Sequence, residues 1–326
     1  MRVLVALGGN AMTGPDGSAR PGDQITAARG AAAAVADLVA AGHDVVLTHG
    51  NGPQVGNLLV KNELAAAVVP PVPLDWCGAQ TQATLGFVLM NALEAALAGR
   101  GLRTPTAALV TRTLVDRDDP CWARPTKPVG RFLPEAEAQV LVEHGETWEP
   151  RGERGWRRVV ASPEPLEVLD APAAATLSAA GYVVVVAGGG GVPVVRETDG
   201  TLRGVEAVID KDLAAAVLAR ALGAEVLVVG TDVPAAVLGF EGPDPQPLGR
   251  IESAALRDHA RQGHFAGGSM GPKVEAACRF VEAGGRHAAI TDLDHLGPAA
   301  EGGAGTVVVP GPPHSTDRPT DRPTDR

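Results

Sequence analysis

The sequence predicts an α/β fold in which helices cover both faces of a mostly parallel sheet. Three observations carry this. Short β-rich apolar runs alternate with Ala-rich helical stretches, the rhythm of βαβ units. Three of the runs end abruptly on glycine, where a strand must turn toward the next element. One block, rich in Pro, Trp and Arg, breaks the rhythm and reads as an insertion.

From the N-terminus, Arg2 to Leu7 is an apolar run that stops on Gly8-Gly9-Asn10. Thr26 to Ala41 is Ala-rich, with Val35, Leu38 and Val39 on one side, and Gly42 ends it, so it is expected to be a helix. Val45 to Thr48 is a second strand, running into His49-Gly50-Asn51-Gly52-Pro53, and Leu74 to Leu97 reads as a long helix. From about Arg112 to Pro165 the chain carries seven prolines and three of its four tryptophans, and this segment is the expected inserted subdomain. The α/β pattern resumes at Tyr182 to Ala187, which leads into Gly188 to Gly191. Glu225 to Val229 precedes Gly230-Thr231-Asp232, and Thr306 to Val309 is a last strand. From Thr316 to Arg326 the chain repeats a Thr-Asp-Arg-Pro unit that has nothing to bury, and residues 312–326 are expected to form a disordered tail outside a domain of residues 1–311.

Composition narrows the function classes. Of 326 residues, 45% are hydrophobic but only 3% aromatic, so the core is built from Ala, Val and Leu. The net charge of -10 argues against nucleic acid or an anionic membrane as a partner. Any bound anion must therefore be held by a local site. Cys77, Cys121 and Cys278 are far apart and form no CxxC, which disfavours a disulfide scaffold or a structural zinc site. With an N-terminus that enters a strand directly and no apolar stretch of spanning length, a cytoplasmic location is the expectation.

The chemistry points to phosphate. Gly8-Gly9-Asn10-Ala11-Met12-Thr13 is neither a P-loop nor a GxGxxG fingerprint. Yet three strand ends of bare backbone lie where an open parallel sheet binds ligands, and glycine lets N–H groups approach a phosphate closely. Lysine is scarce: Lys61, Lys127, Lys211 and Lys273 are the only four. Lys127 sits in "RPTKPVG", Lys211 between Asp210 and Asp212 at a helix start, and Lys273 in "GGSMGPKVEAA" after a glycine loop. Compact cations beside glycine rims suit phosphoryl transfer, which needs positioning and positive charge rather than covalent chemistry. Asp212 can hold lysines or help carry Mg²⁺. His49 and His264 are read as structural. An acceptor that is already an anion needs no general base, and no protein metal site is expected.

The segments "VALGGNA", "THGNGPQVGNLL", "PLDWCGAQTQATLGF", "PTKPVG", "RGWRRVVASPEP", "GGGGVPVV", "GVEAVIDKDLAA" and "GHFAGGSMGPKVEAA" resemble, in order and wording, the carbamate kinases of the amino acid kinase superfamily. The resemblance covers about Arg2 to Val309. It implies a three-layer αβα sandwich around a mostly parallel, roughly eight-stranded sheet, a homodimer, and reversible phosphoryl transfer between ATP and carbamate, giving ADP and carbamoyl phosphate, with Mg²⁺. ATP formation in arginine catabolism is the expected setting. The N-terminal lobe would take carbamate or carbamoyl phosphate and the C-terminal lobe the nucleotide. Gly8, Gly9, Asn10, Gly50, Asn51 and Gly52 would cradle the phosphoryl group and the carbamoyl end. Lys127 would close over the substrate from the inserted subdomain. Lys211 and Lys273 would neutralise phosphate charge, organised by Asp212. Thr231, Asp232, Gly268, Ser269 and Met270, with Lys273, would meet the nucleotide. Phe240 stands where the family more usually has Trp or Tyr. Two other readings stay open: a superfamily kinase for another small acid, and a non-catalytic sensor of nucleotide or carbamoyl phosphate.

Overall fold

A computed structural model describes residues 1–14, 16–240, 242, 244–265 and 269–311. The expected disordered tail lies outside the described residues.

The main sheet contains β1 (Arg2–Leu7), β2 (Asp44–His49), β3 (Thr106–Ala108), β4 (Val183–Val185), β5 (Val226–Thr231), β6 (Arg250–Glu252), β7 (His287–Asp292) and β8 (Thr306–Val309). Its order is β6-β8-β7-β5-β1-β2-β4-β3. Every neighbouring pair is parallel except β7 and β8. The helices are α1 (Pro21–Ala40), α2 (Gly52–Ala65), α3 (Leu74–Ala98), α4 (Glu135–Glu143), α5 (Ala171–Ala179), α6 (Lys211–Ala221), α7 (Ser253–Arg261), α8 (Met270–Glu282) and α9 (Leu296–Ala300).

Side-chain alternation along the strands divides the core in two. Leu4, Ala6, Val46, Val184, Leu227 and Val229 point to one face and pack with residues of α5, α6 and α8. Val3, Val5, Leu7, Val45, Leu47 and Val228 point to the other and pack with α1, α3 and α9. A sheet buried on both faces explains why the strands read as continuous apolar runs rather than alternating ones. Small side chains stand in for the missing aromatics: Ala28, Ala31, Ala32 and Ala36 let α1 lie close to the sheet.

Among the described residues three smaller sheets lie outside the main one, and two of them matter here. Lys127–Leu133, Trp156–Val160 and Trp148–Pro150 form an antiparallel sheet, on which α4 packs through Ala138 against Leu133 and Trp148. Arg112–Val115 and Pro165–Val168 pair with each other, and the former also pairs with Val192–Arg196.

Some element boundaries differ from the sequence reading. Helix α1 begins at Pro21, five residues before Thr26, because proline at the first helical position needs no N–H partner and Gly22 to Gln24 show no apolar periodicity. The strand expected over Tyr182 to Ala187 is shorter, because Ala187 takes a left-handed φ of 52°. β5 extends through Thr231, beyond the expected end at Val229.

Candidate active site

Strands β1, β2, β4 and β5 are parallel neighbours around β1, so their C-terminal ends share one edge of the sheet. The glycine loops emerge there. They meet backbone to backbone: a Cβ on Gly50 would lie 2.8 Å from the Gly9 Cα, and one on Gly8 would lie 3.0 Å from the Gly230 carbonyl oxygen. In the third loop Gly189, Gly190 and Gly191 have φ of 66°, 92° and 90°, and a Cβ on Gly189 would collide with the Asn51 amide. The strained Ala187 that opens this loop is pinned from both sides. Thr48 Oγ1 donates to its carbonyl at 2.8 Å, and Thr111 Oγ1 accepts its N–H at 2.7 Å. Strain held by two buried hydrogen bonds is the kind found at ligand sites. Replacing Gly50 by alanine is expected to destabilise the protein by about 1–3 kcal/mol, through overpacking between two rigid loops. A chemical-denaturation midpoint equal to the wild type would show that the loops can part.

These loops bound a cavity of about 550 Å³. Gly8, Gly9, Gly50, Asn51, Gly52, Lys127, Lys211, Asp212, Lys273, Thr231, Asp232 and Ser269 all line it. Met270 does not; it is the first residue of α8 and its side chain packs against the core. The side chain of Asn10 and residue Gly268 lie outside the described residues. Three helices begin at the cavity: Gly52 opens α2, Lys211 opens α6, and Ser269 precedes α8. Helix N-termini favour negative charge; at α6 Asp210 supplies it and caps the N–H groups of Asp212 and Leu213.

Asp212 is the electrostatic centre. Its carboxylate is 3% exposed and accepts from Lys211 Nζ at 2.5 Å through Oδ1 and from Lys273 Nζ at 3.0 Å through Oδ2. Burial alone would raise its pKa, but the two ammonium groups outweigh that and hold it below the usual carboxylate range. Burial pushes the Lys211 pKa down, Asp212 opposes this, and Lys273 adds to it. Lys127 reaches the same space from the small antiparallel sheet and donates to Asp210 Oδ2 at 2.8 Å.

His49 is buried at the end of β2, its ring against Gly188 and its Nδ1 3.0 Å from the Gly50 carbonyl. Burial, reinforced by Lys211, lowers its pKa to about 4, against a donor bond to Gly50 that works the other way. The ring is therefore neutral at pH 7. The unfolded chain binds this proton near the ordinary value of 6.5 and the folded chain only near 4, so the contribution is present above 6.5 and lost as pH falls toward 4. The loss is expected to reach about 3 kcal/mol. The difference between wild-type and His49→Gln stability curves from pH 4 to 8 isolates it; parallel curves would refute it.

Several residues of the cavity wall carry little or no sequence signal as binding residues. Gly189 and Gly191 belong to the third glycine loop, whose sequence marks a rim but no particular ligand. Asp210 lines the cavity beside Lys211. Arg157, on the strand Trp156–Val160, also lines it; its guanidinium stacks 5.1 Å from the Phe132 ring, and its Nε is buried without a partner among the described residues. Burial, then Arg154 and Arg151, pushes its pKa down. The only sequence signal for Arg157 is its place in "RGWRRVV".

Comparison with known proteins points to one family. A sequence profile of the Amino acid kinase family matches residues 1–292. Carbamate kinase of Thermococcus kodakarensis is 45% identical over 312 residues, 94% of this chain and 99% of that protein. The carbamate kinase-like protein YqeA of Escherichia coli is 43% identical over 94% of this chain and 98% of its own length. The structure of carbamate kinase from Giardia lamblia bound to AMP-PNP superposes with a TM-score of 0.88 at 39% identity, covering 95% of this chain and 98% of that one.

Proposed function

The chain belongs to the amino acid kinase family, and from that premise we propose that it is a carbamate kinase, catalysing ATP + carbamate ⇌ ADP + carbamoyl phosphate. The observation that carries this reading is the buried pair of lysines on Asp212, set within a glycine-rimmed cavity where three helices begin.

The carbamate oxygen is already an anion, so it attacks the γ-phosphorus without losing a proton, and no base is required. The protein supplies position and charge. Lys211 and Lys273 stand over the moving phosphoryl oxygens, with Asp212 fixing both ammonium groups so that neither must reorganise during transfer. Backbone N–H groups of the Gly8–Gly9 loop and of Asn51 and Gly52 hold the phosphoryl end, while Gly50, whose N–H goes to the Leu7 carbonyl, shapes the wall. Lys127 adds a third cation from the inserted subdomain. Thr231, Asp232 and Ser269 face the nucleotide.

Among the described residues no group of three His, Cys, Asp or Glu could hold a metal. Both Asp212 oxygens are taken by lysines. Mg²⁺ fits here as an ion carried mainly by the nucleotide phosphates, with Asp232 as the cavity carboxylate that would share it. It would supply screening of the phosphate charge.

A homodimer and a cytoplasmic location are parts of the same proposal. Trp76 and Phe87 lie three turns apart on α3 and are 60% and 56% exposed, an apolar face suited to a second copy. Among the described residues no helix is long and apolar enough to cross a membrane.

The test is ATP formation from carbamoyl phosphate and Mg-ADP. Sustained turnover supports the proposal; a rate at background would overturn it and send the search to other small acids, since two Escherichia coli relatives are named only as carbamate kinase-like. A companion prediction concerns the inserted subdomain. Amide exchange across residues 112–165 should slow when nucleotide and carbamoyl phosphate bind, as a closing lid requires. Equal exchange with and without ligand would argue against closure.

A further inference from the structure

Asp210 makes no hydrogen bond to Lys211 or Lys273, because Asp212 takes both; it touches Lys211 only through its charge, which favours the protonated form. It is nevertheless fixed firmly. Its Oδ1 accepts the backbone N–H groups of Asp212 at 3.0 Å and Leu213 at 3.3 Å, capping α6. Its Oδ2 accepts Lys127 Nζ at 2.8 Å. One carboxylate thus joins two parts of the chain 83 residues apart: the strand Lys127–Leu133 of the small antiparallel sheet, and the helix start that bears Lys211 and Asp212. Both side chains line the cavity.

We propose that Asp210 is the positioning residue for Lys127, holding its ammonium at the cavity wall so that the lid cation is placed relative to the same helix N-terminus that places the other two. This rests on the phosphoryl-transfer reading of the site. A lysine is a point charge on a flexible stem, and Lys127 is about one-third exposed, so nothing in its own packing locks it in place. The helix cap locks Asp210 instead, and Asp210 locks the lysine. An ammonium has three N–H donors, so one bond to Asp210 leaves two for substrate oxygens. Two carboxylates, two residues apart at one helix start, then arrange three ammonium groups around one space.

The charge partners of the pair are those on every element at this wall. Lys211, Asp212, Lys273, Arg157 and Asp232 line the same cavity. Asp210 lowers the net positive charge there, so its benefit is geometric: it should appear in substrate affinity and not in stability.

The test uses the full chain with Asp210→Asn, Lys127→Met and the double variant. Asparagine caps a helix about as well as aspartate, so the unfolding midpoint of Asp210→Asn should match the wild type. Its KM for carbamoyl phosphate should rise about tenfold, with a smaller change in kcat. In the Lys127→Met background the same change should have no further effect, because Asp210 acts through that lysine. Additive losses, or a wild-type KM in Asp210→Asn, would overturn the proposal. Amide exchange over residues 127–133 in the ligand-free protein reads the bridge without turnover. It should rise to one common level in all three variants, and unchanged exchange in Asp210→Asn would sink the inference. Failure of the wild type to turn over carbamoyl phosphate would instead strike the proposed function, leaving exchange to decide the bridge.

Discussion

Replacing Asp212 with alanine is expected to cost about 3–5 kcal/mol of stability, because it strands two ammonium groups beside each other with no hydrogen-bonded counter-charge. Lys273 is 5% exposed and the Lys211 side chain 13%, so water replaces the lost carboxylate only in part. Activity should vanish with it, since the two cations would no longer share one anchor. Denaturant midpoints with and without Mg-ADP check this. The nucleotide phosphates should recover part of the loss, because they bring negative charge to the same lysines. A midpoint within the error of the wild type would mean that the lysines re-pair or deprotonate at little cost. The pH dependence has its origin in the same pair. The Asp212 carboxyl is held below its ordinary 3.8, so its contribution is present above that value and drains away as pH falls beneath it.

Replacing Lys211 with alanine should lower turnover by about two orders of magnitude, the effect of removing one preorganised charge worth about 3 kcal/mol in the transition state. Asp212 keeps Lys273 as a partner in this variant, so the fold should survive and the kinetic loss can be read cleanly. The loss should fall on kcat if the charge acts on the phosphoryl group in flight, and on KM if it acts equally on bound substrate. Wild-type turnover in Lys211→Ala would keep the kinase reading but move its catalytic charge elsewhere. Background rates in both proteins would remove the reading itself.

Much of this architecture is local enough to be read from residues. β1, β2 and β5 announce themselves as apolar runs, because a strand buried on both faces has no polar side to interrupt it. Gly42 ends α1 with a φ of 88°, a conformation that glycine adopts without strain. Lys211 and Lys273 stand out because lysine is rare in this chain and both lie near helix starts. Helix α2 is hard to see in the sequence, because Gly52-Pro53 reads as a turn although proline suits a first helical turn.

The sequence by itself determined β1, β2, β4, β5, β8, α1, α3 and the starts of α6 and α8, which strand ends are bare backbone, and which rare cations lie beside them. Those properties depend on a residue and its near neighbours. The tertiary structure decided who meets whom. It put Lys273 on the carboxylate of Asp212 across 61 residues and Lys127 on Asp210 across 83. It packed Met270 against the core and set Arg157 in the cavity wall. It also forced Ala187 into a left-handed turn, through hydroxyls contributed by Thr48 and Thr111. Partners this distant in sequence are chosen by how sheet and helices pack, because a buried charge takes whatever counter-charge that packing brings within reach.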